Sequence, residues 1–265
     1  MKKTEPIKTV YYKDELGDEF SSAVITPKKI DASYIYDRDG LWGRFLHFFW
    51  YRLVAIPLGY CYLKLAFHHK IIGREKLRDY AKKPLFIYGN HTQATADALI
   101  PTFITYPRDA YVIVHPNNVS MPFLGRITPY LGALPLPDDL DATRNYRAII
   151  EKRIRENAPV YIYPEAHIWP YFTGIRHFTE LSFHYPVKYD TPVFCFTNTY
   201  RRRRFSSKPR IVTYVDGPFF ADGSIPPKER KKELRDRVFE CMTERSRLSD
   251  VVRIEYRKEG DSDSD

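Results

Sequence analysis

From Pro84 onward, short apolar runs alternate with longer segments in which apolar residues recur at helical spacing. Runs of about 4–8 apolar or alternating residues bounded by Pro, Gly, Asn or Asp read as strands. They predict strands at Leu85 (LFIY), Tyr111 (YVIV), Ala133 (ALPL), Val160 (VYIY), Val193 (VFCFTNTY) and Arg210 (RIVTYVDG). Helices are predicted near Thr95–Ile104, Asp141–Glu156 and Pro227–Arg247. The second carries apolar Ala148, Ile149 and Ile154 among many charges, as a helix with one buried face should. Its acidic start suits the positive end of the helix dipole. Strands that alternate with helices imply an α/β fold, with a mixed, largely parallel sheet flanked by helices.

The most apolar and aromatic run lies ahead of this pattern, from Leu41 to Phe67. Arg44, His47, Arg52 and Lys64 interrupt it, and Pro57 with Gly59 should break a helix there. A spanning helix of about 20 apolar residues is therefore not expected. Two short helices lying at a membrane interface fit better, with Trp42, Trp50, Tyr51, Tyr60 and Tyr62 at headgroup level. The competing reading is a helical hairpin packed on the protein's own core. The expected organisation is an irregular N-terminal arm over 1–39 that drapes over the domain and a membrane-associating helical segment over 40–69. A catalytic domain over 70–255 and a disordered acidic tail over 256–265 complete it.

Charge narrows the partners. The formal net charge is +9 and the pI about 9.3, so the surface should attract an anion: a nucleic acid, an anionic membrane or a phosphorylated substrate. Arg201 to Arg204 form a basic block that reads either as a solvated turn or as a contact for lipid headgroups. No helix-turn-helix, zinc-finger or RNA-recognition signature accompanies the charge, so no nucleic acid partner is expected. Cys61, Cys195 and Cys241 are too few and too scattered for a disulfide framework. Cys195 should be a buried strand residue. The start of the chain shows no secretory leader, and a membrane-associated protein on the cytoplasmic face is expected.

Candidate chemistry sits where two strands end. LFIYGNH delivers His91 to a strand end, the edge where open α/β sheets bind ligands, and Asp97 follows after five residues, TQATA. Such a pair can act as a general base oriented by a carboxylate, or the histidine can plug the sheet edge while the acid favours a helix start. With no Gly-x-Ser-x-Gly elbow in the chain, the nucleophile would arrive with the substrate as a hydroxyl group. A second strand ends in Pro164-Glu165, which suggests that two ionisable clusters converge on one cleft. Glu165, His167 and His177 do not have metal-ligand spacing, so no metal is expected.

Four blocks, in order, resemble those of the glycerolipid acyltransferases, the 1-acylglycerol-3-phosphate acyltransferase superfamily. They are Asn90-His91 with Asp97, then Gly132-Ala133-Leu134-Pro135, Pro164-Glu165 and Pro192-Val193, with IIGREKL as a lead-in. The match spans roughly 72–199, and it departs from the family pattern at three places. The His-to-Asp spacing is one residue longer, a rotation of about 100° if both residues were helical, unless Thr95 caps a helix that starts at Ala96. Ala166 and His167 replace the family's Gly and small hydroxylated residue, and Pro137 stands where an Arg is usual.

The resemblance implies acyl transfer from a thioester, acyl-CoA or acyl carrier protein, to the free hydroxyl of a lysophospholipid, first among them 1-acyl-glycerol-3-phosphate. No cofactor is implied. His91 would be the general base and Asp97 its orienting carboxylate. Backbone N–H groups from Asn90 through Thr92 to Gln93 would hold the oxyanion. Glu165, with Pro164 and His167 beside it, would place the acceptor or order the cleft by pairing with an Arg. Arg126, Arg144 and Arg176 are candidates for the phosphate. A non-catalytic lipid-binding relative and a basic nucleic-acid-binding protein are the alternatives.

Overall fold

A computed structural model describes residues 8–21 and 25–260. Nine strands are found among the described residues: β1 (Lys8–Tyr12), β2 (Lys70–Ile72), β3 (Leu85–Gly89), β4 (Tyr111–Val114), β5 (Ala133–Pro135), β6 (Pro159–Ile162), β7 (Val193–Arg203), β8 (Ser206–Phe219) and β9 (Ile254–Lys258). Seven of them form one sheet in the order β2-β8-β7-β3-β6-β4-β5, in which only the β7–β8 pair is antiparallel. The sheet is therefore mixed and largely parallel, as the alternating pattern implies. All six expected strands are present. The three-residue β2 is too short to carry a periodic signal, and β1 and β9 lie where an irregular arm and the start of a disordered tail were expected. These two strands pair in parallel, Val10 opposite Tyr256, because each supplies the other's missing backbone partners. Residues 261–265 of the expected tail lie outside the described residues.

The helices are α1 (Leu41–His47), α2 (Ile56–Phe67), α3 (Ala94–Thr105), α4 (Asn117–Ser120), α5 (Leu124–Ile127), α6 (Leu140–Arg155), α7 (His184–Tyr189) and α8 (Pro227–Ser246). Alternation along β3 sorts them into two layers. Leu85 and Ile87 pack into a cluster with Leu63 and Phe67 of α2 and Ala96, Ile100 and Ile104 of α3. Phe86 and Tyr88 point the other way, into a cluster with Tyr146, Ile149 and Ile150 of α6 and Leu234, Val238 and Met242 of α8. The sheet is thus covered on both faces. On α6 the buried stripe is Ala142, Tyr146, Ile149, Ile150 and Arg153, while Ala148 is exposed and Ile154 only half-buried. The helix begins one residue early because Asp139 caps it, accepting from Ala142 N at 2.8 Å.

The apolar run does not break at Pro57. Helical backbone continues from α1 through a π-helical stretch, Phe48–Ala55, into α2, with right-handed helical angles at both junctions. Proline forbids the usual bond to the residue four back and crowds that carbonyl. The wider π turn immediately before Pro57 relieves this, and Ile56 N donates to Tyr51 O instead. The expected pair of separate helices is therefore one continuous helical element, and it is not a hairpin. One side of it is seated on the domain through Tyr51, Gly59, Leu63 and Phe67. The remainder exposes Leu41, Trp42, Phe45, Phe48, Leu53, Leu58 and Leu65. Among the described residues no helix is long and apolar enough to cross a membrane.

Candidate active site

β3 and β6 are adjacent and parallel, so their carboxyl ends deliver His91 and Glu165 to the same edge. Gly89 makes the approach possible: a Cβ there would overlap the Phe196 ring on neighbouring β7. Beyond it the chain has no regular secondary structure until, after an extended Gln93, it enters α3 at Ala94. Helix entry thus comes earlier than a Thr95 cap would give, and Thr95 does not cap it. Instead Asp97, in the first turn, reaches back: its Oδ2 accepts from Thr92 N at 2.7 Å and Gln93 N at 2.8 Å. The same oxygen accepts from His91 Nδ1 at 2.9 Å. The longer spacing is harmless because His91 lies outside the helix, so no helical rotation relates the two side chains.

Asp97 is wholly buried, and the His91 side chain is 17% exposed. With Nδ1 donating to the carboxylate, the neutral ring carries its lone pair on Nε2. The Tyr163 ring stacks on the imidazole with centroids 4.4 Å apart, and its hydroxyl donates to the Asp97 carbonyl. Trp169 N and Tyr171 N donate to the carbonyls of His91 and Thr92 at 3.3 and 3.1 Å. The histidine is thereby held from three sides.

Glu165 is buried beside this pair. Its Oε2 accepts from His91 N and from Arg176 Nη2, both at 3.3 Å, and its Oε1 accepts from Arg176 N at 3.2 Å. Burial pushes its carboxyl up to about 7, against the opposing pull of the Arg176 guanidinium and the two N–H donors. Arg176 is itself 1% exposed, lies over the Trp169 ring at 4.9 Å and donates to the carbonyls of His167 and Glu15. Of the two roles foreseen for Glu165, pairing with an Arg is the one observed.

Several expected ligand contacts are engaged elsewhere. The N–H groups of His91, Thr92 and Gln93, which were expected to face an oxyanion, donate to the Glu165 and Asp97 carboxylates. Asn90 and Thr92 are buried: Asn90 bonds the backbone of Asn198 at 2.8 and 3.1 Å, and Thr92 Oγ1 takes the Tyr200 hydroxyl at 2.9 Å. Gln93 Nε2 donates to Tyr200 Oη at 3.2 Å. Pro164 is half-buried at the strand end, and His167 meets Glu19 of the arm at 3.3 Å. Arg126 on α5 and Arg144 on α6 are exposed, and among the described residues no contact joins either to His91 or Glu165.

Glu15 to Phe20 of the N-terminal arm lie against this segment. Glu19 accepts from Ile168 N at 3.2 Å, Asp18 O from Trp169 Nε1 at 2.8 Å, and Glu15 from His177 N at 3.1 Å. Among the described residues no group of three or more metal-ligating side chains exists.

Sequence reasoning missed Asn198. It lies on β7 with Nδ2 at 3.0 Å from Asp97 Oδ1. The available signal was Thr197-Asn198-Thr199, three polar residues inside a strand otherwise read as buried; all three are buried.

No family model matches the chain, and no curated protein does. Among solved structures the chain is similar to the 1-acyl-sn-glycerophosphate (LPA) acyltransferase PlsC from Thermotoga maritima, with a TM-score of 0.51 and 16% identity. The likeness covers 73% of this chain and 80% of that one. At that identity the likeness is one of fold: this chain has the mixed α/β architecture of that acyltransferase.

Proposed function

We propose that the protein transfers a fatty acyl group from a thioester to the free hydroxyl of a lysophospholipid at a membrane surface, with 1-acyl-glycerol-3-phosphate as the first acceptor to test. The observation that carries this is the His91–Asp97 hydrogen bond at 2.9 Å, beside a buried Glu165, at the carboxyl ends of adjacent parallel strands. The fold shared with a lysophosphatidic acid acyltransferase supports the substrate class.

His91 Nε2 takes the proton of the acceptor hydroxyl as that oxygen bonds to the thioester carbonyl carbon. Asp97 keeps the proton on Nδ1 and stabilises the imidazolium that forms. The tetrahedral intermediate then expels the thiolate, which leaves as thiol with the proton from Nε2. The Glu165–Arg176 pair shapes the loop that flanks His91. Acyl-CoA and acyl carrier protein are both competent donors on this chemistry.

Membrane association is supported by the exposed apolar side of the 41–67 helical element. The β7–β8 hairpin tip lies beside its end, since Arg203 donates to the Ala66 carbonyl. There Phe205 is 89% exposed and Arg204 lies 5.1 Å from its ring, a pairing of aromatic and cation suited to anionic headgroups.

The test is to incubate the protein with a panel of lysophospholipids and both kinds of thioester and identify the product by mass. Phosphatidic acid formed by the wild type and reduced about 10²- to 10⁴-fold in His91→Ala is expected. Lipid binding without turnover would make the protein a non-catalytic binder. Equal turnover by both proteins would remove His91 from the mechanism.

A further inference from the structure

The bond to His91 uses one oxygen of Asp97. The other, Oδ1, accepts from Asn198 Nδ2 at 3.0 Å. The Asn198 amide is held at its far end too, since its Oδ1 accepts from the Thr213 hydroxyl on β8 at 2.6 Å. Having given its proton to Asn198, the Thr213 oxygen accepts from His69 Nε2 at 2.8 Å. The four side chains belong to residues no more than 4% exposed. Burial and the nearby Lys64 hold His69 down to about 4, so it is neutral at ordinary pH and carries its proton on Nε2. Donors thus run one way, from His69 through Thr213 and Asn198 to Asp97.

We propose that Asn198 is a positioning residue for the His91–Asp97 pair, supported by Thr213 and His69, and that this buried relay fixes which ring nitrogen of His91 stays free. This rests on the general-base role of His91 given above. Asp97 Oδ2 is committed to three N–H donors, and Asn198 completes the carboxylate by satisfying Oδ1. Remove that donor and a buried, charged oxygen is left unsatisfied, which a low-dielectric site resolves by rotation or by proton uptake. Either change weakens the demand that Nδ1 carry the imidazole proton. A carboxylate at 198 would not substitute, because two acids on one site must share a proton. The other ionisable groups facing the pair are Glu165, through the His91 N–H, and the Tyr163 and Tyr200 hydroxyls.

Asn198 also clasps Asn90, but through its backbone N–H and C=O, which a side-chain replacement leaves in place. Thr213→Val removes only the hydroxyl behind Asn198, in nearly the same volume, and Thr213→Ser restores it. The readout is the ring ¹⁵N–¹H correlation of histidine-labelled protein, with His91 assigned through His91→Ala and folding checked by thermal melting. Consumption of palmitoyl-CoA with lysophosphatidic acid is followed in parallel.

The wild type is expected to show His91 protonated at Nδ1. Thr213→Val and Asn198→Asp should show a mixed tautomer, with kcat lower by about 10-fold and KM for palmitoyl-CoA within about two-fold. Thr213→Ser should restore both. A folded Thr213→Val protein with wild-type His91 tautomer and kcat would overturn the relay. If the wild type consumes no thioester yet the ring signals respond as expected, the relay stands and acyl transfer falls.

Discussion

The Glu165 carboxylate accepts from the His91 backbone N–H at 3.3 Å, so the two strand-end loops of the site are joined through one buried acid. Its charge is balanced by Arg176, whose side chain is 1% exposed. Removing one member of a buried pair strands the other, and Arg176→Met is expected to cost about 3–5 kcal/mol. Glu165→Gln should cost less when made in the Arg176→Met background than in the wild type, since the stranded charge is then gone. The Arg176→Met penalty should shrink as pH falls, because Glu165 takes up a proton instead. Urea unfolding of the two single variants and the double, at pH 8 and pH 5.5, measures all three.

Ala166 occupies the left-handed region at φ 63°, at the position where the resembled family carries Gly. A Cβ in that region costs about 1–2 kcal/mol, and glycine's larger unfolded-state entropy returns part of it. Ala166→Gly is expected to stabilise the protein by about 1 kcal/mol, a rise in melting temperature of about 2–4 °C. Calorimetry of the two proteins at one scan rate provides the comparison.

His69 gives a pH dependence of known sign. Its folded value is about 4, against 6.5 ordinarily, because burial and Lys64 disfavour the imidazolium. The stabilisation is therefore complete above about pH 6.5 and drains away as pH falls toward 4. The loss over that window amounts to about 3 kcal/mol. His69→Gln keeps an N–H donor without a titrating ring, and its urea midpoint should fall less steeply between pH 6.5 and pH 4 than that of the wild type.

The exposed side of the 41–67 element should govern membrane binding. Trp42 is 78% and Phe45 55% exposed, and burying such a side chain is worth about 1.5–3 kcal/mol. Changing both to Ser is expected to weaken sedimentation with anionic phosphatidylglycerol vesicles by about 10-fold or more, while the melting temperature holds. Unchanged sedimentation would move the contact to another surface.

The amino-acid order alone determined the α/β class, the six principal strands and the two strand ends that carry His91 and Glu165. These follow from periodicity and from residues adjacent in the chain, which local physics constrains directly. It did not determine that Pro57 would be absorbed in a π turn, or that Lys8–Tyr12 would pair with Ile254–Lys258. Nor did it show that the N–H groups of 91–93 would be spent on Asp97 and Glu165, or that Asn198, 101 residues from Asp97, would complete that carboxylate. A hydrogen bond depends on where a donor ends up in space to within a few tenths of an ångström, and sheet order alone brings β7 beside β3. Tertiary packing decided the partners, since burial obliges each polar group to find one and the chain distance between them carries no such obligation.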